Sequence, residues 1–395
     1  MNAHPIDITN IPESDIHIGS HDRIKVLKNA SLVVFLLTSA HYIVASFATS
    51  QRMAFNYLLS FTFIMSIGLG GLFWTMIHHA TKASWSSAVR RIPETLSSIL
   101  VLGIVLALPL FLGLGTVYEW THEKVHNGAY LNKTFFIART IFYCGVWSLL
   151  YFKIVKPSII QDKTGKHELT HHMWKWSCVG LFLFAVTLHL AGVDWLMSLN
   201  PHWVSTIFGV YYFAGSAVCG LAVIISLAII LKKFGYLSIV NENHFHDLGK
   251  LLFGLNVFWA YIAFSQYMLI WYGHLPEETV FFHERTLGEW KNFTLILPIG
   301  HFVIPFFLLI SRGAKRNLFT LFVASTWLIL MHYIDLFWLI FPVFNKEVVA
   351  CGLPEVASFI WALSLVLWVS LWMLEKHALI PIKDPRLAES LDFHQ

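Results

Sequence analysis

Two histidine–aspartate pairs stand inside long apolar runs of this 395-residue chain. In TLHLAGVDWLMSLNP (Thr187 to Pro201) the pair is His189 and Asp194; in LMHYIDLFWLIFP (Leu330 to Pro342) it is His332 and Asp335. An ionisable side chain at the centre of a membrane-crossing helix costs about 2.5–3.5 kcal/mol on insertion scales, so residues of this kind are functional suspects by default. A carboxylate beside an imidazole can hold, pass or take a proton at neutral pH. Spacing separates the two pairs. His332 and Asp335, at i and i+3, are neighbours on one helix face, whereas His189 and Asp194 lie five apart and flank one face only loosely. Arg139, His41, His301 and the neutral Gln266 also fall inside apolar runs. An interhelical hydrogen bond that merely holds the fold is the open alternative for each of them.

The elements that must position these residues follow from composition. The chain is 56% hydrophobic and 13% charged, with a mean hydropathy of +0.63, values set by long apolar segments and foreign to a soluble domain. Ten segments are long enough to cross about 30 Å of hydrocarbon. They centre on residues 26–47, 54–78, 96–117, 134–153, 173–194, 204–231, 249–273, 293–311, 318–342 and 352–374. The expected fold is therefore all-α, a polytopic membrane protein. Residues 1–25 are polar and hold no apolar signal-peptide core, and 375–395 form a polar tail. The two His–Asp–Trp–Pro stretches lie four spans apart, in the same orientation. The outer connections GTVYEWTHEKVH (Gly115 to His126) and IWYGHLPEETVFFHER (Ile270 to Arg285) share a similar acidic, histidine-rich character. This reads as a parallel repeat of two four-helix bundles, about 54–194 and 204–342, with the first and last spans outside.

Lysine and arginine set the expected orientation. Of the 27 such residues, 20 fall on the side of the N-terminus and 6 on the other, with Arg139 at the start of a span. The positive-inside rule then puts both termini in the cytoplasm and the stretch YGHLPEET at the outer face, in a bacterial inner membrane. There Trp271 and Tyr272 make the aromatic belt, Gly273 and Pro276 end the helix, and Glu277 and Glu278 meet water. The charge of +4 is thus a topology signal, and no basic soluble face for nucleic acid exists.

Cysteine and histidine patterns exclude several cofactors. Cys144, Cys178, Cys219 and Cys351 form no C-x-x-C and no c-haem motif, so they read as small hydrophobes. The doublets His78-His79 and His171-His172 and the pair His122 and His126 resemble the histidine boxes of di-iron oxygenases, but the topology divides them between two faces. A bis-histidine haem on His189 and His332 is disfavoured by the carboxylates beside both. No haem, iron–sulfur cluster or metal ligand set is expected.

The long stretch HLAGVDWLMSLNPHWVSTIFGVYYFAGSAVCGLA (His189 to Ala222), together with FSQYMLIWYGHLPEET, resembles the NrfD/PsrC-like membrane subunits of the polysulfide-reductase family. Within that family the likeness is to the second quinone-binding subunit of alternative complex III, a bacterial quinol:cytochrome c oxidoreductase. The order Asp194-Trp195 is the reverse of the Trp-Asp in the first such subunit. The resemblance implies two four-helix bundles without a redox metal, embedded in lipid beside a homologous quinone-binding subunit. It also implies quinol or menaquinol as substrate near the outer face. Electrons would pass to a periplasmic iron–sulfur subunit and to haem c subunits.

Quinol oxidation releases two protons with its two electrons. Its site therefore needs a base near water, a polar group for the second oxygen, and aromatic walls. Tyr118, Glu119, His122, Arg139, His189, Asp194 and Trp195 are expected to meet at the outer end of the first bundle; Gln266, His274, Glu277, His332 and Asp335 are the equivalent set in the second. Asp194, nearer the outer face, is the expected quinone contact, and the deeper Asp335 the expected proton carrier. A proton channel or transporter, or a structural anchor without its own quinone site, is the competing reading.

Overall fold

A computed structural model of the chain describes residues 11–19, 23–125 and 127–392. Ten of its helices are long and apolar enough to cross a membrane: α1 (Arg23–Ala48), α2 (Ser50–Ala80), α3 (Arg91–Leu112), α4 (Lys133–Thr164), α5 (Glu168–Leu199), α6 (Phe208–Lys233), α7 (Glu242–Gly273), α8 (Trp290–Leu309), α9 (Leu318–Phe344) and α10 (Leu353–Lys376). The described residues contain no strand. This is the polytopic all-α fold expected from the sequence.

Short polar residues fix several ends. The Asn132 side chain accepts from the Phe135 amide to open α4, and Asn317 accepts from the Thr320 amide to open α9. Gly165 closes α4 in the left-handed region at φ 65°. At the end of α7 that conformation falls on His274, at φ 48°, one residue beyond the glycine expected to terminate the helix. Pro276 then opens a short helix, Pro276–Glu284, with Glu277 and Glu278 in its first turn.

Several helices run past the apolar windows that announced them. Arg91 and Glu94 belong to the first turns of α3, because each is neutralised there. Arg91 donates to Glu94 at 2.5 Å and to Asp162 at 2.5 Å, so the helix carries its charges into the protein. The C-terminal tail completes this network. Asp384 pairs with Arg90 at 2.5 Å, and the Leu379 amide donates to the Ile16 carbonyl. Burial alone would raise the Asp384 carboxyl; Arg90 beside it overrides this and holds it below the usual carboxylate range.

α2 and α6 are the centre of the molecule and are buried along nearly their whole length, while in α1 only Ile24 and Ser31 are buried. α2 to α5 pack as one bundle and α6 to α9 as the other, with α1 and α10 paired outside them. The bundles meet where glycines face each other. A Cβ on Gly70 would lie 2.7 Å from the Gly220 Cα and 2.4 Å from the Ser216 carbonyl oxygen, so only glycine permits this approach. Small residues at such positions let backbones touch, the main source of helix adhesion where lipid removes the hydrophobic drive. Large apolar side chains such as Phe47, Leu112, Phe182 and Phe307 stand outward, as a lipid-facing surface requires. Arg52 reaches from α2 to Glu355 on α10 at 2.7 Å and 2.8 Å, which ties the outer pair to the core.

Candidate functional site

Each bundle holds one fully buried aspartate, in different company. In the first, Asp194 near the end of α5 receives both arms of Arg139 from α4, Nε to Oδ2 at 2.7 Å and Nη2 to Oδ1 at 2.8 Å. Tyr143, four residues after Arg139 on the same helix face, donates its hydroxyl to Oδ2 at 2.7 Å. The third arm of the guanidinium donates to the Tyr130 carbonyl at 3.0 Å, and its plane lies 3.8 Å over the Tyr130 ring. Trp195 is fixed beside this group. Its Nε1 donates to Thr140 at 3.2 Å, and its carbonyl accepts from the Tyr118 hydroxyl at 2.9 Å. The whole is a bidentate ion pair, buried, aromatic-walled and saturated with hydrogen bonds.

Tyr118, Arg139, Asp194 and Trp195 thus come together as the sequence reading required, and three other residues do not. His189 makes no hydrogen bond to Asp194. It packs against Gly209 of α6, where an added Cβ would fall 2.2 Å from its Nδ1. Five residues turn an α-helix by about 500°, so the two side chains leave it roughly 140° apart. Glu119 and His122 lie exposed in the loop after α3, and His122 Nε2 meets the Gly115 carbonyl at 2.7 Å. His126 is outside the described residues.

The second bundle places Asp335 on α9, nine residues before that helix ends and so about 13 Å inward. Tyr211 of α6 donates to Oδ1, and Trp259 of α7 donates to Oδ2 at 3.2 Å. Among the described residues no lysine or arginine pairs with this carboxylate. His332 and Asp335 do share a face, but they are not hydrogen-bonded to each other. His332 Nε2 meets Ser66 Oγ of α2 at 2.9 Å, so this histidine spans the seam between the bundles. The Ser66 hydroxyl donates to the Phe63 carbonyl at 2.7 Å, and its oxygen can only accept from the ring. When the Ser66 hydroxyl donates to Phe63, the ring donates from Nε2 and Nδ1, which has no partner, carries the lone pair.

His301 belongs to neither of the two expected site sets. It sits in a π-helical turn, Pro298–Val303, inside α8, and stacks on Trp259 with centroids 3.7 Å apart. Both of its ring nitrogens are buried without a partner. π turns within α-helices are frequent at functional sites. The sequence signal was present as an intramembrane histidine between Pro298 and Pro305. Gln266, His274 and Glu277 do not join this group. Gln266 is buried elsewhere on α7 with its side-chain oxygen unpartnered, while His274 and Glu277 are exposed at that helix's end.

Other charged residues prove structural. Arg285, counted from the sequence among the outer charges, is fully buried, donating to the carbonyls of Trp338, Phe281 and Leu339 at 3.2, 2.9 and 2.8 Å. Pro342 has no amide hydrogen to offer the Trp338 carbonyl, and Arg285 supplies one. The cysteines divide, Cys144 and Cys219 buried, Cys178 and Cys351 exposed. Set against family models and against curated proteins, the chain matches none.

Proposed function

We propose that this chain is a proton-handling membrane subunit of a respiratory quinol:acceptor oxidoreductase in a bacterial inner membrane. Asp335 and His332 are its working pair. The observation that carries the reading is the contrast at Asp335. A carboxylate buried without a cation, within 4.8 Å of an imidazole nitrogen, is a place where a proton can be taken and handed on. Its company of Tyr211, Trp259 and His301 supplies donors and aromatic faces of the kind a quinol site uses. The resemblance of His189 to Ala222 to the NrfD/PsrC-like subunits supports the redox half of the reading. In this reading the electrons leave through iron–sulfur and haem c partner subunits.

The reading is tested on the assembled complex in proteoliposomes. Asp335→Asn should abolish most quinol oxidation while the subunits still copurify, and a quinone photolabel should mark this chain. Copurification without partner subunits would defeat the redox assignment. The orientation has its own test. A cysteine placed at Glu284 should react with an impermeant reagent from the periplasm, and one at Lys163 should not.

A second reading is favoured by how closed the pairs are. Asp194 is 0% exposed, and His332 and Asp335 are 1% each. Two sizeable cavities, one beside Trp74, His78 and Lys250 and one beside Tyr42, Tyr57 and Trp361, touch neither aspartate. Such geometry suits a proton conductor whose quinol is oxidised in a neighbouring subunit. Proton stoichiometry that falls in Asp335→Asn while quinone labelling of this chain is nil would select it.

A further inference from the structure

We propose that His301, His332 and Asp335 form a binding site for a divalent transition-metal ion, of which Zn²⁺ is the best match. One ligand atom from each lies within 4.8 Å of the other two. A tetrahedral ion would draw them together to about 3.3 Å, with nitrogen at about 2.0–2.1 Å and a fourth position left for water. Two imidazoles and one carboxylate are the borderline nitrogen and oxygen donors that Zn²⁺ accepts.

Three independent features aim the donors inward. Ser66 engages Nε2 of His332 and so can hold the proton there, leaving the unpartnered Nδ1 to present the lone pair a metal needs. The glycine at 215 lets the α6 backbone cradle that ring, since a Cβ there would fall 2.8 Å from Nδ1. His301, on its π turn, has two buried nitrogens and no hydrogen-bond partner for either. Burying unpaired polar atoms is costly, and three ring nitrogens left so around one carboxylate describe a site awaiting a cation. An ion here would do for Asp335 what Arg139 does for Asp194. It would also occupy the lone pair and the carboxylate oxygens that the proposed proton step uses.

The test counts metal on the full chain purified in detergent after growth with added zinc, and needs no turnover. The wild type should carry about one zinc per chain, with nitrogen and oxygen scatterers at about 2.0–2.1 Å and imidazole multiple scattering in the zinc absorption edge. His301→Gln and Asp335→Asn should lose it while keeping their elution volume and helical circular dichroism. Ser66→Ala should bind zinc roughly 10–100-fold more weakly, which a cluster with only a packing role would not show. Zinc content unchanged in both His301→Gln and Asp335→Asn, no zinc in the wild type, or sulfur in the zinc shell would each overturn the site. If the variants fail to fold, the wild-type absorption edge decides alone, according to whether two imidazoles surround the metal. The outcome is separable from that of the proposed function, because zinc content is read without quinol and quinol turnover can be measured after chelation.

Discussion

Asp194 and Asp335 are the same residue type on corresponding helices of the two bundles, and both are buried. The first is closed by a bidentate arginine and a tyrosine; the second has a tyrosine, an indole and no cation. A buried ion pair is a fixed object, since removing either partner strands the other's charge. A buried carboxylate without a cation can change state, because binding a proton or a metal relieves it. The first aspartate is therefore held as a fastening, while the second is left free to change state.

The comparison breaks first, and most widely, at Asp335. Replacing it by Asn should cut proton-coupled turnover about 10²–10⁴-fold with assembly intact, if the carboxylate is an obligate base. Retained turnover and proton stoichiometry would put Asp335 in the same structural class as Asp194. The next largest effect is on stability. Arg139→Met should destabilise the chain by about 3–5 kcal/mol by leaving Asp194 alone, and Asp194→Asn should do nearly as much through the stranded guanidinium. The double change Arg139→Met with Asp194→Leu should recover most of the loss. Thermal unfolding in detergent reads all three, and an unaffected Arg139→Met would erase the contrast. The tyrosines sharpen it further. Tyr143→Phe should cost about 1–3 kcal/mol of stability and leave turnover alone. Tyr211→Phe should lower turnover while leaving assembly intact, because Asp335 loses one of its two donors. The smallest effect belongs to His189. His189→Gln should change stability by less than about 0.5–1 kcal/mol and turnover hardly at all, since it has no bond to Asp194.

Hydropathy alone revealed the ten spans, because each must be a continuous apolar run whatever it packs against. Their ends were less legible. The first turns of α3 hold Arg91 and Glu94, and only their pairing with each other and with the tertiary partner Asp162 reveals that such charges can be helical and buried. The i, i+3 spacing put His332 and Asp335 on one face, and the Arg139 to Tyr143 spacing carried the same kind of information unread. The partners across helices were not legible. Nothing local in VYYF or in NVFWAY says that Tyr211 and Trp259 converge on Asp335, and a π turn at His301 has no periodic signature. His274 and Glu277 misled because motif chemistry at a helix end looks the same whether it faces a site or water.

The glycine contact between α2 and α6 bears on how the molecule can work. Carriers that alternate access rock one structural repeat against the other around a central substrate. Here the repeats touch backbone to backbone at Gly70 and Gly220, with Ser66 and His332 bonded across the same boundary. Any rocking would have to part this close glycine contact and break the Ser66–His332 bond beside it. The two halves are joined as one unit, a construction that suits proton transfer between fixed groups, as proposed above, better than alternating access.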